Sequence, residues 1–108
     1  MVGIIINELF TRKFNDSLDY ALDVFGRKTK KAWKEEYDAI LRNLSRNPEM
    51  YGIVYELGDN PLFRGATIMK NFKIIFHYDA NYNMVYIYDL WDMRQNPSKL
   101  VRLKRYYK

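Results

Sequence analysis

Arginines and lysines carry most of the chemistry open to this chain. The sequence has no cysteine and a single histidine, His77. Disulfides, thiolate nucleophiles and cysteine-ligated metals are therefore excluded, and no metal or other cofactor is expected. Lys and Arg number 18 against 13 Asp and Glu, which gives a formal charge of +5 and a sequence pI of about 9.4. Such a balance points first to a polyanionic partner, either nucleic acid or an acidic protein. The stretch Phe72–Leu100 (FKIIFHYDANYNMVYIYDLWDMRQNPSKL) places one cation best. Two aromatic-rich strand patterns flank a polar turn, and the second runs into Asp92-Met93-Arg94-Gln95-Asn96-Pro97. An arginine at a strand end, just before a proline, is a fixed cation at the rim of a sheet. Its planar fork suits bidentate phosphate binding.

Other residues offer related chemistry. Asp92 is placed to orient Arg94 or to serve as a turn carboxylate, and Trp91 to stack on a base or to fill the core. His77 has the titration range of a general acid or base, yet it alternates with Phe76 and Tyr78 as any strand histidine would. The run Arg27-Lys28-Thr29-Lys30-Lys31-Ala32-Trp33-Lys34 is the densest basic segment. Lys28, Lys30, Lys31 and Lys34 form a candidate patch for nucleic-acid phosphates. The alternative is a solvated helix tip relieved by Lys31–Glu35 and Lys34–Asp38 pairs. Lys70 is a further candidate cation for the patch.

These groups need a frame, and 108 residues supply one domain with one modest core. Gly3–Phe10 (GIIINELF) reads as a first strand. Asn15-Asp16-Ser17 then offers caps for a helix whose apolar stripe is Phe14, Leu18, Ala21, Leu22 and Phe25, with Gly26 as its C-cap. Thr29 can cap a second helix, striped by Trp33, Tyr37, Ile40, Leu41 and Leu44 and stopped by Pro48. Neither helix can bury its stripe alone, so the pair should form an antiparallel hairpin lying on a sheet. Strands are expected at Gly52–Leu57, Phe63–Lys70, Phe72–Tyr78 and Met84–Trp91. The tail Ser98–Lys108 reads as a short helix capped by Ser98, or as an arm. The expected class is α+β, in the order β-α-α-β-β-β(-β), with the hairpin over one face of a mainly antiparallel sheet.

With these elements placed, the chain resembles the RelE/ParE superfamily of bacterial toxins. Three features carry the likeness. Leu44-Ser45-Arg46-Asn47-Pro48 resembles the family's exit from the helical hairpin. Phe72-Lys73-Ile74-Ile75-Phe76 resembles its "Y-R-I-x-Y" strand. Val85-Tyr86-Ile87 followed by Leu90-Trp91-Asp92-Met93-Arg94 is similar to its closing strand and terminal arginine. The resemblance spans about Ile4 to Leu100. It implies the toxin of a type II toxin–antitoxin (plasmid-stabilisation) module, held inactive by a cognate antitoxin. Two activities follow from it: ribosome-dependent cleavage of mRNA without a metal, or inhibition of DNA gyrase without any nuclease step. A non-toxic interaction module that keeps the fold is a further alternative.

An mRNA endonuclease of this kind activates a ribose 2′-OH, grips the scissile phosphate and leaves a 2′,3′-cyclic phosphate. The resemblance assigns the gripping cations to Arg94 and Lys73. Arg64, one strand earlier, is placed to face the same way, and His77, the one imidazole, is the candidate proton carrier. Lysine at position 73 keeps the charge of the family's arginine but loses its fork. The spacing that would bring a proton-transfer residue after Arg94 lands on Leu100, which leaves Tyr106 and Tyr107 if the tail folds back. Val2–Ile6 is too short for a signal peptide and no segment is apolar enough for a membrane span, so a cytoplasmic location with no membrane partner is the expectation.

Overall fold

The computed structural model describes residues 1–103. The elements run β1 (Gly3–Ile6), α1 (Glu8–Phe25), α2 (Arg27–Arg46), β2 (Arg64–Ile68), β3 (Phe72–Asp79), β4 (Met84–Asp92) and α3 (Pro97–Leu103), with single 3-10 turns at Pro48–Met50 and Tyr55–Leu57. The sheet order is β1-β4-β3-β2. β1 is parallel to β4, and the other neighbours are antiparallel. The class is α+β, as the pattern of apolar residues requires.

Several boundaries differ from the expected ones, each for a local reason. The first strand stops at Ile6 because the Asn7 side chain accepts the Leu9 N–H at 2.6 Å and starts a helix there. Asn15, Asp16 and Ser17 lie inside that helix. α2 starts at Arg27 rather than after Thr29. Gly26 alone joins the helices at φ +92°, where its N–H bonds to the Ala21 and Leu22 carbonyls and its C=O accepts from Lys30. That φ is open to glycine and costly for other residues. Gly52–Leu57 is not a strand: it makes one bridge, Ile53 to Arg64, and then a 3-10 turn. At the third helix Asn96, not Ser98, is the capping side chain, since its Oδ1 accepts the Ser98 N–H.

The core has two halves, one on each face of the sheet. Phe10, Phe14, Leu18 and Ala21 of α1 meet Trp33, Ile40 and Leu44 of α2 over Ala66, Ile74, Phe76, Val85 and Ile87. Phe14 is central: its ring lies 4.5 Å from Tyr37 and 5.9 Å from Trp33. On the opposite face Ile75 and Trp91 are covered by Val54, Leu57, Phe63 and Leu100. The third helix thus folds back onto the face that the hairpin leaves open. A register shift between Ile75 and Phe76 interrupts the β3–β4 ladder. Opposite it sits Asp89, fully buried and paired at 2.7 Å with Lys13 of α1.

Candidate functional site

Strand register decides which cations meet. Across β2 and β3, Arg64 pairs with Phe76 and Thr67 pairs with Lys73. Paired residues share a face, so Arg64 lies on the hairpin side with Phe76, and Lys73 lies on the opposite side. Arg64 is held locally: it donates to the Tyr51 and Glu49 carbonyls at 2.7 and 3.3 Å, with the Glu49 carboxylate 4.0 Å away. Lys73 lays its stem across Gly65, where any Cβ would strike it. The expected convergence of Arg64, Lys73 and Arg94 on one concave surface therefore does not occur.

Arg94 lies elsewhere, two residues past the end of β4. Its Nε and one terminal nitrogen grip the Asp92 carboxylate at 3.0 and 2.9 Å, and its backbone N–H adds a third bond. The guanidinium also sits 5.6 Å from the centroid of the Phe72 ring, a cation–π contact. Hydrogen bonding from Arg94 holds the Asp92 carboxyl below the usual carboxylate range. The same contact raises the guanidinium, so Arg94 is charged at every physiological pH.

Beside this pair a groove of about 470 Å³ opens between the tip of the helical hairpin and the β2–β3 turn. Its lining includes Trp33 and Phe72, whose rings lie 5.0 Å apart, with Tyr20, Phe25, Met69 and Arg94 around them. Lys70 stands in the turn between two lining residues, Met69 and Asn71. Thr29 is the residue of the basic run that lines the groove, and Lys28 and Lys30 are not among its lining. Arg94 is the cation of the lining, with the Asp16 carboxylate also in it. Lys31 pairs weakly with Glu35 at 3.8 Å, both well exposed. Lys34 turns away and borders a second groove, with Phe10, Tyr37 and Asp38, on the far side of the hairpin.

The β2–β3 turn is itself unusual. Met69 and Lys70 both take positive φ, 49° and 69°. Glu36 of α2 secures the turn by accepting the Met69 N–H at 3.0 Å. Strained backbone bordering a groove is a common feature of binding sites.

On the other face, His77 Nδ1 lies 2.9 Å from the Leu62 carbonyl. A carbonyl only accepts, so the neutral ring carries its proton on Nδ1 and leaves Nε2 as an acceptor. The imidazole is half-buried and stacks at 6.5 Å with Tyr86. Burial, followed by the Tyr86 charge, raises the Tyr88 phenol. Trp91, placed by its sequence at the rim, is 6% exposed and belongs to the core, so its indole face is closed to a base. Tyr106 and Tyr107 lie outside the described residues.

The spacing along the chain does not announce the aromatic groove. Phe25 falls on the apolar stripe of the first helix yet is 64% exposed, and Tyr20 and Val24 are exposed beside it. Apolar residues off the stripe were the available signal. No cluster of metal-ligating side chains occurs among the described residues, and no helix there is long and apolar enough to cross a membrane. No family model matches the chain, and a search of curated proteins finds no match.

Proposed function

We propose that this chain is the cytoplasmic toxin of a type II toxin–antitoxin pair, and that it acts by binding its target rather than by cutting RNA. The order of elements and the strand motifs around Lys73 and Arg94 support the superfamily reading. The distribution of cations carries the binding mode. Arg94 lines an aromatic groove and Lys70 sits in the turn that borders it, whereas Arg64 and Lys73, which would help to clamp a scissile phosphate, lie on opposite faces of the sheet. The gyrase-inhibiting branch of the superfamily, which has no nuclease step, fits this reading together with lysine at position 73, and the antitoxin is the partner that silences it.

Induced expression in a bacterium without the antitoxin tests this. Growth arrest with intact mRNA, and loss of supercoiling by purified gyrase, is the expected result. Arg94→Ala should relieve both effects. New mRNA ends at the ribosomal A site would overturn the binding mode.

One observation favours the cleavage reading as a second possibility. Lys73 and His77, four residues apart on β3, share the open face, and Nε2 of His77 is the nitrogen free to take a proton. On that reading mRNA ends appear with the wild type and vanish with His77→Ala, while Arg94→Ala leaves them in place.

A further inference from the structure

The two edges of the sheet are treated differently. At β2 the chain covers its own edge. Gly65 N–H bonds to the Gly52 carbonyl at 3.0 Å, and the Phe63 carbonyl accepts from Val54 at 2.9 Å. At β1 the cover stops short of the strand: Val2, one residue before it, donates to the Ser45 carbonyl of α2 at 3.1 Å. Gly3 and Asn7 donate inward to the β4 side, to Asn83 and Ile87, which turns the amides of Ile4 and Ile6 outward. No bond from outside the sheet reaches either residue among the described residues. The strand is Gly3-Ile4-Ile5-Ile6, with no charge, proline or bulge, and Ile5 and Ile6 are 49% and 41% exposed. Its four-residue length is the one protecting device it keeps, where protein sheets ordinarily add a charge, a proline or a bulge.

We propose that two copies of this chain pair β1 to β1, antiparallel across a twofold axis, and extend the sheet from four strands to eight. The strand is self-complementary in this arrangement. Ile4 of one copy faces Ile6 of the other, and each such pair exchanges two backbone hydrogen bonds. Ile5 then faces its own symmetry mate in the close, non-hydrogen-bonded position, on the open face of the sheet. The most exposed apolar side chain of the strand is thereby covered by an identical one. Each copy carries +5, yet the strand has no charged residue to oppose its mate, so local repulsion is absent where contact is closest. The edge shares no residue with the groove beside Arg94, which stays open in both copies.

A contact this small gives a weak, concentration-dependent dimer, with a dissociation constant on the order of 10 µM or above. Sedimentation equilibrium of the purified full chain should show mass rising from 13.1 kDa towards twice that value with concentration. Ile5→Lys sets two ammonium groups against each other and should weaken the dimer at least about tenfold. Ile6→Pro removes an outward donor and should do the same. Hydrogen exchange on the wild type adds a readout independent of variant folding: the Ile4 and Ile6 amides should gain protection as concentration rises, while the Ile5 amide stays constant. A wild-type chain that remains monomeric to about 200 µM overturns the proposal and leaves the edge to a strand from another protein. So does a dimer in which the Ile4 and Ile6 amides exchange at a rate independent of concentration.

Discussion

Asp89 is the only charged residue fully buried in the described core, and Lys13 reaches it from α1 while staying partly in water. Its oxygen also accepts the Leu90 N–H, so the carboxylate is held in place by both backbone and cation. Removing the cation takes one partner from a buried charge. Lys13→Met should cost about 3 kcal/mol in urea unfolding. Asp92 is coupled to its arginine in a different way, at the surface. Its folded-state value lies below the unfolded one, so the pair contributes stability that is complete above the unfolded carboxylate range. That contribution is lost as pH falls through the lowered value. In an NMR titration Arg94→Ala should return the Asp92 carboxyl towards about 4. The Asp92–Arg94 relation was legible, because two residues at the end of one strand cannot be far apart. The burial of Trp91 was not, since it depends on Leu100 returning over the open face, and spacing along the chain does not encode that return.

At the scale of elements, the stripes of both helices were readable and the parity of β2 was not. The β2–β3 connection is three residues long, Met69 to Asn71, which pairs Ile68 with Phe72 and hence Arg64 with Phe76. A loop one residue longer or shorter would move Arg64 to the face of Lys73. Nothing in the composition of that turn announces its length, because Met and Lys occupy left-handed positions where glycine or asparagine would have signalled it. Lys70→Gly should therefore stabilise the protein by roughly 1 kcal/mol in thermal or urea unfolding. Gly26→Ala should act in the opposite sense. A Cβ there meets open space, so the cost is purely that of the backbone at φ +92°, about 1–3 kcal/mol. The strand-to-helix boundary at Asn7 was missed for a related reason. The β-branched run Ile4–Ile6 leads straight towards Leu9 and Phe10, and the Asn7 cap turns the chain into a helix between them.

The sheet separates two surfaces, an aromatic groove with Arg94 on the hairpin side and a His77–Tyr86 stack on the other. Both halves of the core hold a phenol under strain of desolvation. Burial raises Tyr37 in one and Tyr88 in the other above the ordinary value of 10.0. The folded chain keeps these protons where the unfolded chain releases them. The stability they contribute is intact below about pH 10 and falls as pH climbs towards the folded values. Tyr37→Phe with Tyr88→Phe should flatten the fall of Tm above that pH, read alongside phenolate absorbance. The pairing of β1 with β4 has a consequence of its own. The earliest strand to leave a ribosome must wait for nearly the last before it finds its neighbour, and Lys13 waits equally long for Asp89. A nascent chain halted anywhere before Asp92 would carry the helices but lack a finished sheet. On the function proposed above, the chain would be inert towards its own translation until β4 has emerged and joined β1.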